Sequence, residues 1–266
     1  MNHARLQVFT GKGGVGKTAF SLAYAKALQQ QGRKVLYNHF DQTGGDQLCQ
    51  QLGLEELKLS VASSAVTYIE KKLGSALIAK WIFQTPFFNA LFDMLPGLGH
   101  MILFGHLVEM VENDPELTII IDSPSSGHAV TMFEAASNFR EIFQAGLIVK
   151  DIDRMQNFLK QENSLKTVVI CLPTFMALQE GKELQEKLHS LNVTQCDLWL
   201  NDSFLKNSEL ESKRNLLPPF LIQKLENEEK VLNEYQNLIS QVFPRFPTTD
   251  LIGTIKALVV EMERTL

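Results

Sequence analysis

Residues 11–18 read Gly-Lys-Gly-Gly-Val-Gly-Lys-Thr and complete the pattern G-x-x-x-x-G-K-[ST]. An apolar, strand-like run over 6–9 leads in, and a helical pattern over 18–31 leads out. No other feature restricts the fold so severely, because the pattern works only as a tight turn between a buried strand and a helix. Glycines let successive N–H groups turn inward with no Cβ in the way, and the helix start adds the positive end of its dipole. The spacing therefore predicts a cradle for the phosphates of a nucleoside triphosphate. Gly11, Gly13, Gly14, Val15 and Gly16 supply its backbone, Lys17 reaches the β- and γ-phosphates, and the Thr18 hydroxyl holds Mg²⁺.

Lys12 narrows this further. A lysine so early in the loop points away from the γ-phosphate of its own subunit, and its simplest use is to reach the phosphates held by a neighbour. Cationic fingers supplied in that way are worth roughly 10³–10⁵ in rate. Lys12 thus predicts a nucleotide-sandwich dimer and a catalytic role for its own side chain. A solvated lysine at the mouth of the loop is the alternative.

Apolar runs of strand length recur at 6–10, 34–39, 117–122, 146–150, 167–172 and 197–201. Their continuous apolar character suits burial on both faces of a parallel sheet. Helix-length patterns at 18–31, 151–162 and 177–191 lie between several of them, so the expected fold is α/β, a doubly wound, mostly parallel sheet over the single domain 1–266. Residues 46–116 break the rhythm. They carry helical patterns and no strand, and a crossover of that length is expected to be an inserted helical subdomain. Large apolar residues such as Ile78, Trp81, Phe87, Phe92 and Phe104 crowd its middle. They either pack the insertion onto itself and the sheet or form a groove for an apolar partner. Beyond 218 the chain is helical again, with Pro244 and Pro247 marking an extended turn before a last helix over 249–266.

Composition excludes several classes. A hydrophobic content of 45% with a net charge of −5 gives an ample core and no basic face for nucleic acid. The most apolar stretch, 73–111, is broken by Lys80, Pro86, Asn89, Asp93 and Pro96, short of the roughly 18 apolar residues a membrane span needs. Three scattered cysteines, Cys49, Cys171 and Cys196, contain no C-x-x-C, and the start runs directly into a strand. Reduced thiols and a cytoplasmic location are expected.

Two aspartates close strands that should flank the phosphate loop. Asp122 ends 117–121 in the position suited to water on Mg²⁺. Asp41 ends the second run and is the candidate for orienting the attacking water, with a turn aspartate before Gly44-Gly45 as its rival. In the loop after Asp122, Gly127 can offer its N–H to a γ-phosphate and release it after hydrolysis. His128 is either a contact of that loop or a polar residue at a helix start. Asn201 closes another strand, where its amide can bond an adenine edge.

These residues resemble the deviant-Walker-A ATPases, and among them the ArsA-type family, which includes the arsenite-pump and tail-anchored-protein targeting ATPases. Gly11–Thr18 carries the family loop in full. Asp122–His128, D-S-P-S-S-G-H, is similar to the family's D-T-A-P-T-G-H. Residues 173–178 with Glu180, and 198–201, look like its P-E-F-x-x-L-x-E and V-N segments. The resemblance implies ATP and Mg²⁺ as cofactors, hydrolysis to ADP and phosphate, and a homodimer or a dimer with a related ATPase. An apolar client or membrane-protein segment on the insertion is also implied. One departure stands out: the family's D-P-A is Asp41-Gln42-Thr43 here, so a hydrolytically weak partner subunit is a second reading. A positioning switch of the ParA or MinD kind is a third.

Overall fold

The computed structural model describes residues 4–40, 46–86, 90, 94–95, 97–142, 147–207, 214–248 and 250–264. Seven parallel strands form one sheet: β1 (Leu6–Gly11), β2 (Lys34–Asn38), β3 (Glu55–Glu56), β4 (Leu117–Asp122), β5 (Leu165–Cys171), β6 (Gln195–Ser203) and β7 (Ile239–Pro244), in the spatial order β3-β2-β4-β1-β5-β6-β7. Every strand is parallel to its neighbours, so the expectation of a mostly parallel sheet understated the regularity.

Alternate residues along the strands feed two apolar layers. Leu6, Val8, Ile119, Ile121, Val169 and Leu200 face one, and Phe9, Ile120, Val168, Ile170 and Trp199 face the other. Helices α1 (Lys17–Gln30) and α10 (Leu251–Glu263) cover the second face. The first face is covered by α5 (Leu98–Asn113), α6 (Ser126–Ile142), α7 (Leu147–Lys160) and α8 (Phe175–Ser190). The remaining helices are α2 (Asp46–Leu52), α3 (Val61–Leu73), α4 (Ala76–Phe83) and α9 (Pro219–Tyr235). Parallel sheets require this double cover, because βαβ crossovers place a helix on one face or the other.

Three sequence expectations need correction. The strand expected over 146–150 is not found over 147–150, where the chain is already in α7, and Gly146 lies outside the described residues. The run is too short for alternation to settle its type, and its continuation decides the matter, with Ile152, Met155 and Leu159 buried at helical spacing. Residues 46–116 contain a strand after all, since Glu55 and Glu56 pair with Leu36 and Tyr37 at the sheet edge. Pro244 ends β7, an edge strand bonded to β6, where the expected feature was an extended turn.

Candidate active site

β1 and β4 end side by side, Phe9 opposite Asp122, at the centre of the sheet. A crevice beyond such strand ends is where parallel α/β sheets take ligands. Gly11 leaves β1 at φ 140°, and a side chain there would run into the Ile170 carbonyl oxygen of β5. Gly16 opens α1 at φ 100°, and its missing Cβ would lie 2.6 Å from Asn201 Nδ2. Lys12, Gly13 and Gly14 are exposed between them, while Val15 is buried as the anchor of the turn.

Inside the loop, Lys17 is buried and its Nζ donates to the Lys12 carbonyl at 2.9 Å. Burial lowers its pKa, with the charge of Asp122 acting in the opposite sense. Thr18 Oγ1 donates to Asp122 Oδ2 at 2.6 Å. Burial raises the Asp122 carboxyl above the usual carboxylate range, and the Thr18 bond and Lys17 pull it back down. Tyr37, whose hydroxyl is 2.7 Å from Ser21 Oγ, acts on the same carboxyl in the same downward sense. A hydroxyl and a carboxylate brought together by two elements are hard oxygen donors, and a divalent cation offsets the cost of a desolvated anion. Thr18 and Asp122 therefore fit Mg²⁺.

Lys12 turns outward. Its Nζ is 2.7 Å from Glu180 Oε1, with the two side chains 65% and 45% exposed. Glu180 stands on α8, whose start is capped by the Thr174 side chain accepting from the Ala177 N–H. The loop after β4 is cross-linked by Thr10 Oγ1 and Ser123 Oγ, both donating to the Ser125 carbonyl, at 3.4 and 3.0 Å. Ser125 Oγ is 2.9 Å from His128 Nδ1. Gly127 is exposed in the first turn of α6, where N–H groups have no acceptor within the helix.

His128 also belongs to an aromatic trio. Phe40 stacks on His100 with ring centroids 5.4 Å apart, and the His128 ring meets Phe40 at 6.3 Å and His100 at 5.8 Å. Phe40 is buried at φ 48°, uncommon for a bulky residue, with its N–H on Asn38 Oδ1. The trio joins the segment just after β2, the first turn of α6 and the first turn of α5. Sequence reading missed Phe40, His100 and Tyr37, because side chains brought together from distant segments leave no spacing to detect. Glu180 was visible only as part of a motif.

Asn201 sits at the phosphate loop, and there its Nδ2 donates to the Val15 carbonyl at 2.9 Å. The amide expected to meet a base is engaged with loop backbone. Asp41 lies outside the described residues.

A family profile described as an anion-transporting ATPase (ArsA_ATPase) matches residues 4–147, more than half of the chain. The chain is 23% identical over 281 aligned positions to the putative arsenical pump-driving ATPase 2 of Aquifex aeolicus (strain VF5), covering 90% of each protein. It is 21% identical over 238 positions to the ATPase ASNA1 homolog 1 of Paramecium tetraurelia, covering 72% of each. The ATPase ASNA1 homolog of Plasmodium falciparum (isolate 3D7) matches at 21% over 273 positions, 87% of this chain and 70% of that protein. The profile begins at the strand feeding the phosphate loop and runs through α6, so this chain belongs to the ArsA-type ATPase family and is an ATPase.

Proposed function

We propose that this ATPase is Mg²⁺-dependent, closes around nucleotide as a dimer, and passes that closure to residues 46–116, an inserted helical subdomain that receives an apolar client. The pairing of Lys12 with Glu180 carries the reading. In the single chain the Lys12 ammonium rests on an exposed carboxylate, away from its own loop. Exposed pairs of this kind are worth about 0–1 kcal/mol. A facing subunit's triphosphate offers several negative charges at once, so exchanging Glu180 for those phosphates is favourable. Lys17 makes the corresponding exchange within its own loop, leaving the Lys12 carbonyl for the β- and γ-phosphates.

In the reaction, a water oriented by Asp41 attacks the γ-phosphorus. The bond from that phosphorus to the β–γ bridging oxygen breaks, ADP leaves with the bonding pair, and the proton of the water ends on phosphate. Gly13, Gly14 and Gly16 line the phosphates with N–H groups, and the Gly127 N–H takes a γ-oxygen that hydrolysis then removes. Thr18 and Asp122 would hold Mg²⁺, which would supply neutralisation of charge on the phosphates. Asn201 keeps the loop in shape through Val15 and borders the base. The contact of Phe40 and His128 with His100 supports transmission, since it ties the segment after β2 and the start of α6 to α5.

Support for an apolar client comes from α3 and α4. Leu73, Leu77, Ile78 and Trp81 are 51%, 83%, 49% and 70% exposed along one short stretch of chain. Clustered exposed apolar surface of this kind marks an interaction site. Among the described residues no helix is long and apolar enough to cross a membrane.

Light scattering and phosphate release with ATP and Mg²⁺, on wild type and Lys12→Ala, test this function. We expect wild type to double its mass with nucleotide and to turn over, and Lys12→Ala to bind nucleotide yet do neither. A wild type that stays monomeric in ATP contradicts the sandwich. A dimer without turnover establishes the weak partner subunit instead.

A further inference from the structure

β2 ends on Asn38, whose side-chain amide is buried and engaged at both of its ends. Its Nδ2 donates to the Leu57 carbonyl at 2.8 Å and to the Leu59 carbonyl at 3.2 Å. Its Oδ1 accepts from the Phe40 N–H at 3.0 Å. Two carbonyls on one side and an N–H on the other fix which way the amide points. An ionised aspartate of the same shape would set an oxygen against both carbonyls, and a leucine would leave all three backbone groups without this partner. The site therefore asks for asparagine.

The three partners differ in what they need. Leu57 is held to the sheet independently, its N–H donating to the Tyr37 carbonyl at 2.7 Å. Leu59 stands directly before Ser60, whose side chain caps α3. These two carbonyls give the amide a fixed base. Phe40, by contrast, holds φ 48°, a conformation uncommon for a bulky residue. Strain of that kind persists only where the surroundings over-determine it, and the bond to Asn38 is a restraint on the strained residue itself. The conformation directs the Phe40 ring, which is buried with its centroid 6.3 Å from that of His128 at an interplanar angle of 80°. His128 Nδ1 lies 2.9 Å from Ser125 Oγ, and the Ser125 carbonyl accepts from Thr10 and Ser123, the residue after Asp122. One line of contacts thus runs from Leu57 and Leu59 through Asn38, Phe40 and His128 to the loop after β4.

We propose that Asn38 is a positioning residue for ATP hydrolysis, holding Phe40 against His128 so that the first turn of α6 is set for the γ-phosphate. The inference rests on the reading that the Gly127 N–H takes a γ-oxygen, since His128 is the next residue. Asn38 acts through Phe40 and not on the nucleotide itself. Its loss therefore falls on kcat and leaves ATP affinity in place.

The test is steady-state phosphate release by the full chain with ATP and Mg²⁺, beside isothermal titration with ATP. Wild type, Asn38→Ala, Phe40→Leu and the double variant are compared. Asn38→Ala should lower kcat about fivefold, the worth of one hydrogen bond in the transition state, with KM and ATP affinity within about twofold of wild type. Phe40→Leu should lower kcat comparably. The double variant should be no slower than the slower single one, because the two residues act as a unit. A merely structural role for Asn38 lowers Tm without that coupling. A kcat for Asn38→Ala within about twofold of wild type overturns the proposal, as do losses that multiply in the double variant or a loss confined to KM. Amide NMR of the wild type decides if Asn38→Ala fails to fold, or if wild type fails to turn over, which counts against the reading at Gly127. The Phe40 amide should shift when beryllium fluoride, a γ-phosphate mimic, is added to the ADP complex, and an unmoved signal overturns the proposal.

Discussion

Gly16→Ala attacks the phosphate loop at a point where the structure supplies both terms of the cost. The residue stands at φ 100°, where any other L-residue is strained, and its added Cβ falls 2.6 Å from Asn201 Nδ2. A non-glycine residue held in that region costs about 1–3 kcal/mol. The Asn201 amide can swing away, but it then loses its bond to the Val15 carbonyl, worth about 0.5–1.5 kcal/mol. The sum is about 1.5–4.5 kcal/mol, which at about 2–4 °C per kcal/mol lowers Tm by roughly 3–18 °C. The two terms separate in a double-mutant cycle. Asn201→Ala alone removes the bond, and Gly16→Ala on that background then costs only backbone strain. The double variant should be more stable than the summed single effects by about 1 kcal/mol. Urea denaturation followed by circular dichroism measures all four corners. Gly16→Ala within about 0.5 kcal/mol of wild type would refute the strain argument. Strict additivity would refute the contact between loop and amide.

Two other outcomes follow from single contacts. Glu180→Gln should change stability by less than about 1 kcal/mol, because the pair is exposed, yet it frees Lys12 and should lower the ATP concentration at which dimers form. An unchanged midpoint in light scattering would mean that the pair does not restrain Lys12. Burial pushes the thiols of Cys171 and Cys196 up to about 12, so native protein at pH 8 should resist iodoacetamide at both positions while the urea-unfolded chain reacts. The sign of the accompanying stability effect is fixed. Unfolded thiols ionise near pH 9 and native ones near 12, so their contribution is lost as pH rises across that interval.

Much of this molecule was legible in its sequence, for reasons that can be stated residue by residue. Strands buried on both faces read as apolar runs, which is why β1, β2, β4, β5 and β6 were found. The phosphate loop was found because its glycines answer local demands of backbone and sterics. Where several arrangements satisfy the same local pattern, reading failed. Leu147, Ile148 and Val149 suit a strand or a helix, and burial of Ile152 and Met155 by tertiary packing decides for the helix. β3 is two glutamates whose only strand signal is pairing with Leu36 and Tyr37. β7 was hidden by Pro244, a residue tolerated at the end of an edge strand and normally a turn signal. In the site, the outward direction of Lys12 could be argued from its place in the loop, but its partner Glu180 stands 168 residues away. The stacking of Phe40 on His100 likewise depends on a backbone conformation that sequence gives no reason to expect at a phenylalanine.

The central claim is that the loop of residues 11–18 grips a nucleoside triphosphate through its amides and the Lys17 ammonium. Isothermal titration of the full chain with ATP and Mg²⁺, set beside Lys17→Ala, tests it most directly. Saturable binding by wild type, weakened at least about tenfold in Lys17→Ala, is the predicted result. Failure of wild type to take up either ATP or ADP in the presence of Mg²⁺ would contradict it.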